Sequence, residues 1–195
     1  MQISAEQFND LVRKRRSVFP SQFDNTKKIP DEIVKEILVN ATWAPNHGQA
    51  EPWFFKVFTD AGLQTFASLQ SRLYKENAGE GFKEDKFLKL QQTPLLASHI
   101  ISIGMKRTVT KKIPEIEDIE AVSCAVQNIY LSVAAYGLGG YWTTGGVTYL
   151  EKAKYHFGLG EADKLLGFFY LAYIGIPSPN ASRRPVEEKT TWVMD

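Results

Sequence analysis

The sequence predicts an α+β domain with helices on both faces of one sheet. Three observations lead there. Segments with apolar residues three and four apart alternate with short, almost continuously apolar runs. Neither an internal repeat nor a composition break divides residues 1–195, a length that one domain fills with a proper core. After Pro177 all periodicity stops, so residues 177–195 bring no core pattern of their own.

Taken in order, the chain opens on a helix over residues 4–15. Ser4 is the N-cap, Gln7 completes a capping box, and Ile3 and Phe8 stand as a hydrophobic staple. Phe8, Leu11 and Val12 share one face. A polar loop leads to Pro30, and a second helix follows over residues 31–43, stopped by Pro45. The run 53–58 is nearly all apolar and reads as a strand buried on both faces. Leu63, Phe66, Leu69 and Leu73 define a third helix. Residues 76–85 form an exposed turn, and a short helix ends at about Gln92 before Pro94. A strand spans 95–104, and a polar connection follows it over 105–118. The clearest helix runs from Glu120 to Tyr136, with small residues for close helix packing and Gly137 at C′. Residues 139–144 are a strand entering a glycine turn, a helix follows to Gly158, and the last strand is the apolar run 165–176.

Composition narrows the function classes. A formal net charge of +1 gives no global field for nucleic acid or a membrane surface, so any anion site is local. The one cysteine, Cys124, lies amid a helix core and cannot form an internal disulfide, which fits a reducing cytoplasm. The N-terminus has no signal-peptide core, and no run approaches about 18 uninterrupted apolar residues. The expectation is a cytoplasmic protein. Aromatic residues make up 12% of the chain, which suits a flat ring ligand and an aromatic core equally.

Four segments carry candidate chemistry. In RKRRS, residues 13–17, four consecutive cations circle a helix at about 100° per residue, so only one or two can meet a phosphate. The alternative is a basic helix C-terminus favoured by the dipole. Arg183 and Arg184 before Pro185 are either a charged tail or a second part of that anion site. WAPNHGQAEPW, residues 43–53, packs Asn46, His47, Gly48, Gln49 and Glu51 into a loop between two elements, either as ligand contacts or as backbone caps. The three histidines, His47, His99 and His156, lack metal-ligand spacing, and Cys124 offers no nucleophile pair. GLGGYWTTGGVTY, residues 137–149, permits close backbone approach but is neither G-x-G-x-x-G nor a P-loop.

The order of these segments resembles the nitroreductase superfamily, in its small single-domain branch. The likeness rests on Arg15-Arg16-Ser17 after the first helix, then Ala44-Pro45-Asn46-His47, then Pro52-Trp53-Phe54 opening a strand. It continues through the helix AVQNIYLSVAAYGLGGYW, Gly175-Ile176-Pro177, and a late Arg near Pro185 and Glu187, from about Phe8 onward. It implies a three-layer domain over 1–195, with a mostly antiparallel central sheet flanked by helices and a C-terminal segment extended onto a dimer partner. The implied cofactor is FMN, bound at the subunit interface of a homodimer. Arg15, Arg16 and Ser17 match the phosphate-binding segment, and Arg183 or Arg184 matches the Arg that closes it. Asn46, His47 and Gly48, with Glu51 at the far end, match the loop that reaches the flavin of the other subunit. Trp142, Thr143, Thr144 and Gly145 match the segment along the ring.

Two positions depart from that pattern. Glu51 stands where many members have Gln, and a carboxylate near the flavin lowers its potential. Thr143 stands where close relatives put a basic residue.

The implied activity is ping-pong transfer from NAD(P)H through flavin N5 to a flat acceptor such as a nitroaromatic or quinone, with no catalytic residue required and no metal, nucleic acid or membrane involved. The alternatives are another flavin chemistry of the same superfamily, a flavin carrier or sensor without significant turnover, and a non-flavin anion-binding module built on the RKRR cluster.

Overall fold

The computed structural model describes residues 4–108 and 112–194. Helix α1, Ala5–Lys14, starts at Ser4, whose hydroxyl accepts the Gln7 N–H while the Gln7 side chain accepts the Ser4 N–H, the capping box expected. The staple partner Ile3 lies outside the described residues. The shared apolar face of α1 is not buried against this chain: Phe8 is 51% and Val12 40% exposed.

Five antiparallel strands form one sheet: β1 (Phe23–Asp24), β2 (Trp53–Thr59), β3 (His99–Met105), β4 (Leu138–Thr143) and β5 (Lys164–Ile174). Strand β5, the last in sequence, is the central one. Leu171 pairs with His99 of β3 on one side and Gly140 of β4 on the other, and Tyr173 likewise lies between Asp24 and Leu138. Among the described residues strand β2 pairs only with β3, so it is an edge. That corrects the expectation of a strand buried on both faces, because Lys56 and Val57 are exposed. The two-residue β1 falls inside what reads in sequence as a polar loop.

Side chains alternate between two cores. Ile101, Ile103, Phe169 and Leu171 face α2 (Asp31–Thr42) and α5 (Glu115–Ala135). Ile100, Phe168 and Tyr170 face α3 (Ala61–Asn77) and Phe157, where Phe66 and Phe157 are in ring contact with one another and each with Phe58 and Phe168. These are the three layers the resemblance implies. The alternation shifts at one bulge: Ile103 pairs with Gly167 and Gly104 with Leu165, leaving Leu166 as the extra residue.

Two boundaries and the type of one helix differ from expectation. Helix α5 begins at Glu115 rather than Glu120, with Glu115, Glu117 and Asp118 in its first turn, where acidic side chains suit the dipole. Residues 151–157 form a 3-10 helix, stopped at left-handed Gly158. Helix α4, Glu84–Gln92, ends where expected, but a 3-10 turn over Thr93–Leu96 follows it, so β3 starts at His99 rather than at 95. Cys124 lies on the exposed side of α5, not in its core. Among the described residues, no helix is long and apolar enough to cross a membrane.

Candidate functional site

The expected site residues fall into two groups at opposite ends of α5. The first forms where the chain leaves α1. Arg15 donates its N–H to Leu11 O at 3.0 Å, the backbone turns extended, and Val18 N–H donates to Gly140 O of β4 at 3.0 Å. Residues 15–18 therefore run between β4 and α5. Tyr130 of α5 meets them there. Its hydroxyl lies 2.8 Å from Trp142 N and 3.3 Å from Ser17 Oγ. The Arg15 guanidinium sits over its ring at 4.7 Å, and Phe169 packs edge-on from below at 4.8 Å. The exit of β5 closes the other side: Ser178 Oγ donates to Ser17 O at 3.0 Å, and Gln22 Nε2 donates to Ile176 O at 3.2 Å.

Beside this knot opens a cavity of about 430 Å³, lined by Lys14, Arg15, Arg16, Tyr130, Leu138 and Ser178 among others. Asp10, the acidic residue of its wall, is 2.7 Å from Lys14 Nζ. The cations divide their work. Arg16 Nη1 donates to Arg13 O at 2.6 Å and Arg15 O at 2.8 Å, so it satisfies carbonyls at the end of α1. Arg15, its guanidinium over the Tyr130 ring, lines the cavity, and Ser17 lies between two of its lining residues, Arg16 and Val18.

Trp142 is fixed twice, by its N–H on Tyr130 and by its indole Nε1, which donates to Leu166 O at 3.1 Å, the carbonyl that the bulge turns outward. Residues 143–146 then turn: Gly145 N–H donates to Thr143 Oγ1 at 3.3 Å, Thr148 Oγ1 donates to Gly145 O at 2.9 Å, and Gly146 has φ +65°. Thr144 is exposed. Thr143 and Gly145 line a second cavity, of about 270 Å³, on the opposite sheet face, with Tyr141, Phe168 and Tyr170 in its wall and Lys86 and Lys89 of α4 alongside. Burial pushes the Tyr170 phenol pKa up, against a smaller opposing effect from Gln70, so the cavity presents a neutral hydroxyl.

The second group is the loop between α2 and β2. Gly48, Gln49 and Glu51 all have positive φ, at +56°, +53° and +45°, and Asn46 Oδ1 steadies the turn by accepting Glu51 N–H at 3.0 Å. His47 Nδ1 lies 2.5 Å from Glu117 Oε2 in the first turn of α5. Glu117 and Tyr130 are thirteen residues apart on that helix, which separates the two groups by about 20 Å. Arg183 and Arg184 are exposed on the tail; Arg183 Nη1 donates to Ser182 O at 3.0 Å, and neither residue lines the cavity beside Arg15. Among the described residues no cluster of metal-ligating side chains occurs.

Sequence reasoning missed Tyr130, Ser178 and Glu117. Glu117 had a signal: Pro114 followed by three acids within four residues is a helix start. Tyr130 had none, because a tyrosine on an apolar helix face reads as core.

The nitroreductase family model matches residues 12–173, and the chain belongs to that family. The Escherichia coli (strain K12) protein YdjA, provisionally named an NAD(P)H nitroreductase, is 32% identical over 152 residues, 77% of this chain and 79% of its own. YfhC of Bacillus subtilis (strain 168), provisionally named in the same way, is 23% identical over 187 residues, 93% and 92% of the two chains. Among solved structures, a nitroreductase-like family protein from Bacillus cereus superposes with a TM-score of 0.81 at 26% identity over 100% of both chains. A Desulfovibrio desulfuricans protein solved in complex with FMN shares the fold, with a TM-score of 0.72 at 21% identity over 100% of this chain and 99% of that one.

Proposed function

We propose that the protein is an FMN-dependent oxidoreductase that draws electrons from NAD(P)H and delivers them to a flat acceptor such as a nitroaromatic or quinone. One observation carries this reading. The Arg15–Ser17 segment and the Trp142–Gly145 segment, about 125 residues apart in sequence, meet at Tyr130 beside a basic cavity. A guanidinium fork and a hydroxyl are the donor set for a phosphate group. The names of the relatives and the FMN held by a fold neighbour support the same assignment.

FMN, held there, would supply the redox chemistry between NAD(P)H and the acceptor. The chain's own residues bind and orient. Arg15 and Ser17 hold the phosphate, with Arg16 keeping the end of α1 in place. Residues 142–145 run along the ring, with exposed Thr144 and Gly145 leaving open space there. The cavity walled by Tyr141, Phe168 and Tyr170 is a slot for a flat molecule, with Lys86 and Lys89 favouring negative charge.

The protein acts as a homodimer in this reading. Asn46, His47, Gly48 and Glu51 stand about 20 Å along α5 from Tyr130, so they serve the flavin of a second copy rather than their own. Exposed apolar groups support an interface: Phe8 and Val12 on α1, Trp43 beside the loop at 81%, and Trp192 in the tail at 78% exposure. A partner surface gives the tail a place to lie and Arg183 or Arg184 a phosphate to close.

The test is the visible spectrum of the freshly purified protein, followed by anaerobic NADH or NADPH. Bands near about 370 and 450 nm that bleach on addition support a flavin reductase. Bands that persist indicate a carrier or sensor, and a colourless protein that takes up no FMN overturns the proposal.

A further inference from the structure

The polarity of the hydrogen bonds at Tyr130 decides what Ser17 can do. A backbone N–H only donates, so Trp142 N–H gives its proton to the Tyr130 hydroxyl oxygen at 2.8 Å. Tyr130 has one proton of its own, and Ser17 Oγ is 3.3 Å from its oxygen, so Tyr130 can donate to it. In that arrangement the Ser17 hydroxyl accepts from Tyr130 and has its own proton to direct elsewhere. Its carbonyl is separately engaged by Ser178 Oγ at 3.0 Å, which anchors the residue's backbone. Arg15, above the Tyr130 ring, adds only donors. Arg15 at the cavity wall and the Ser17 hydroxyl beside it thus both have protons to give, matched to a ligand group that only accepts.

We propose, on the basis of the FMN reading above, that Tyr130 is the positioning residue of the phosphate site. It commits Ser17 to donate to the phosphate and props the Arg15 guanidinium. It touches neither ring nor acceptor, and its effect falls on the phosphate end of the ligand.

The test is fluorescence titration of apoprotein with FMN and with riboflavin, which has the same ring without the phosphate, for wild type, Y130F, S17A and the double variant. Wild type is expected to bind FMN far more tightly than riboflavin. Y130F keeps the ring and its contacts but leaves Trp142 N–H without its acceptor and Ser17 Oγ without its donor. FMN binding should weaken by about tenfold, with riboflavin binding held within about twofold. The double variant should lose little more than S17A alone, since the two residues act as one unit.

Equal weakening of both ligands in Y130F, unchanged FMN binding, or additive losses in the double variant overturn the role of Tyr130 while leaving the FMN site intact. Wild type binding the two ligands equally overturns the phosphate site itself, and Tyr130's role with it. Should Y130F not fold, S17A compared with Ser17→Thr decides: loss of FMN preference in the first and recovery in the second support a donating hydroxyl, and no loss in S17A refutes it.

Discussion

His47 Nδ1 and Glu117 Oε2 lie 2.5 Å apart, joining the loop before β2 to the first turn of α5. With Nδ1 engaged, Nε2 is the nitrogen left to face outward. In the proposed dimer, that is the atom offered to the partner's flavin. Glu117→Ala should lower kcat/KM for NAD(P)H oxidation by about tenfold, in the range for losing a support of a ligand-contacting histidine. Glu117→Gln, which keeps an acceptor oxygen, should recover most of it. His47 is exposed and Glu117 half-buried, and a pair this open to solvent contributes little, so Tm should hardly move. A lowered Tm with unchanged kinetics would make the contact a purely structural one.

Arg15 and Arg183 are expected to act on one phosphate from separate segments. Replacing both with Ala should yield protein purified with little flavin, read as the ratio of absorbance near 450 nm to that at 280 nm. R15A alone should weaken FMN by one to two orders of magnitude, as expected on losing a charge-assisted pair. Full FMN occupancy in the double variant would place the phosphate elsewhere.

His99 links stability to pH. It is buried, with Nε2 3.2 Å from Asp31 Oδ1 and Nδ1 3.0 Å from Ser98 Oγ, which accepts Ile29 N–H at 2.8 Å. Burial lowers its pKa below the ordinary histidine value; Asp31 and Asp60 oppose the shift, and Lys28 adds to it. Near pH 6 the unfolded chain therefore binds more protons at this site than the folded one. Stability is full above about pH 6.5 and falls as pH drops below it, with a slope of at most about 1.4 kcal/mol per unit. Asp31, whose pKa His99 and Lys28 lower, loses its contribution only in more acid solution, as pH falls through its own folded value. Thermal melts between pH 8 and pH 5 should show the decline, and His99→Gln should flatten it. An identical slope in the variant would assign the effect to other groups.

Gly167→Ala strikes the bulge. Gly167 has φ +125°, and a Cβ there meets the Thr143 carbonyl and the Trp142 indole nitrogen. Strain plus displacement of those neighbours should cost about 2–4 kcal/mol. For a chain of this size that lowers Tm by roughly 5–15 °C. FMN affinity should fall with it, because Trp142 and Thr143 are the residues pushed. A melt within about 1 °C of wild type would contradict the crowding.

Much of this architecture was legible in the sequence, for identifiable reasons. The capping box at Ser4 and Gln7, the stop at Pro45 and the left-handed Gly137 are local, and the chain obeys them as written. The runs 53–58 and 165–176 announced strands, but hydropathy alone does not tell an edge from a centre. Lys56 within the first run was the clue to the edge, since a chain interior has no place for an unpaired cation. The start of α5 was misplaced because its first turn is acidic rather than apolar. Arg15, Ser17 and Trp142 were named because their segments are compact motifs, and the fold brings the three together at Tyr130. Tyr130 was not, since its meaning lies in which distant residues its hydroxyl touches, and only folding settles that.

The central position of β5 has a consequence for biogenesis. Strands β2 and β3 can pair once residue 105 has been made, but β3's other edge, β1 and β4 all wait for residues 164–174. Until then a growing chain displays the open edge of β3, whose residues are all buried in the finished fold. Such an edge is a template for pairing with a neighbouring nascent chain. The protein's greatest exposure to aggregation therefore falls during translation, and slowing synthesis ahead of β5 should lower soluble yield more than slowing it afterwards.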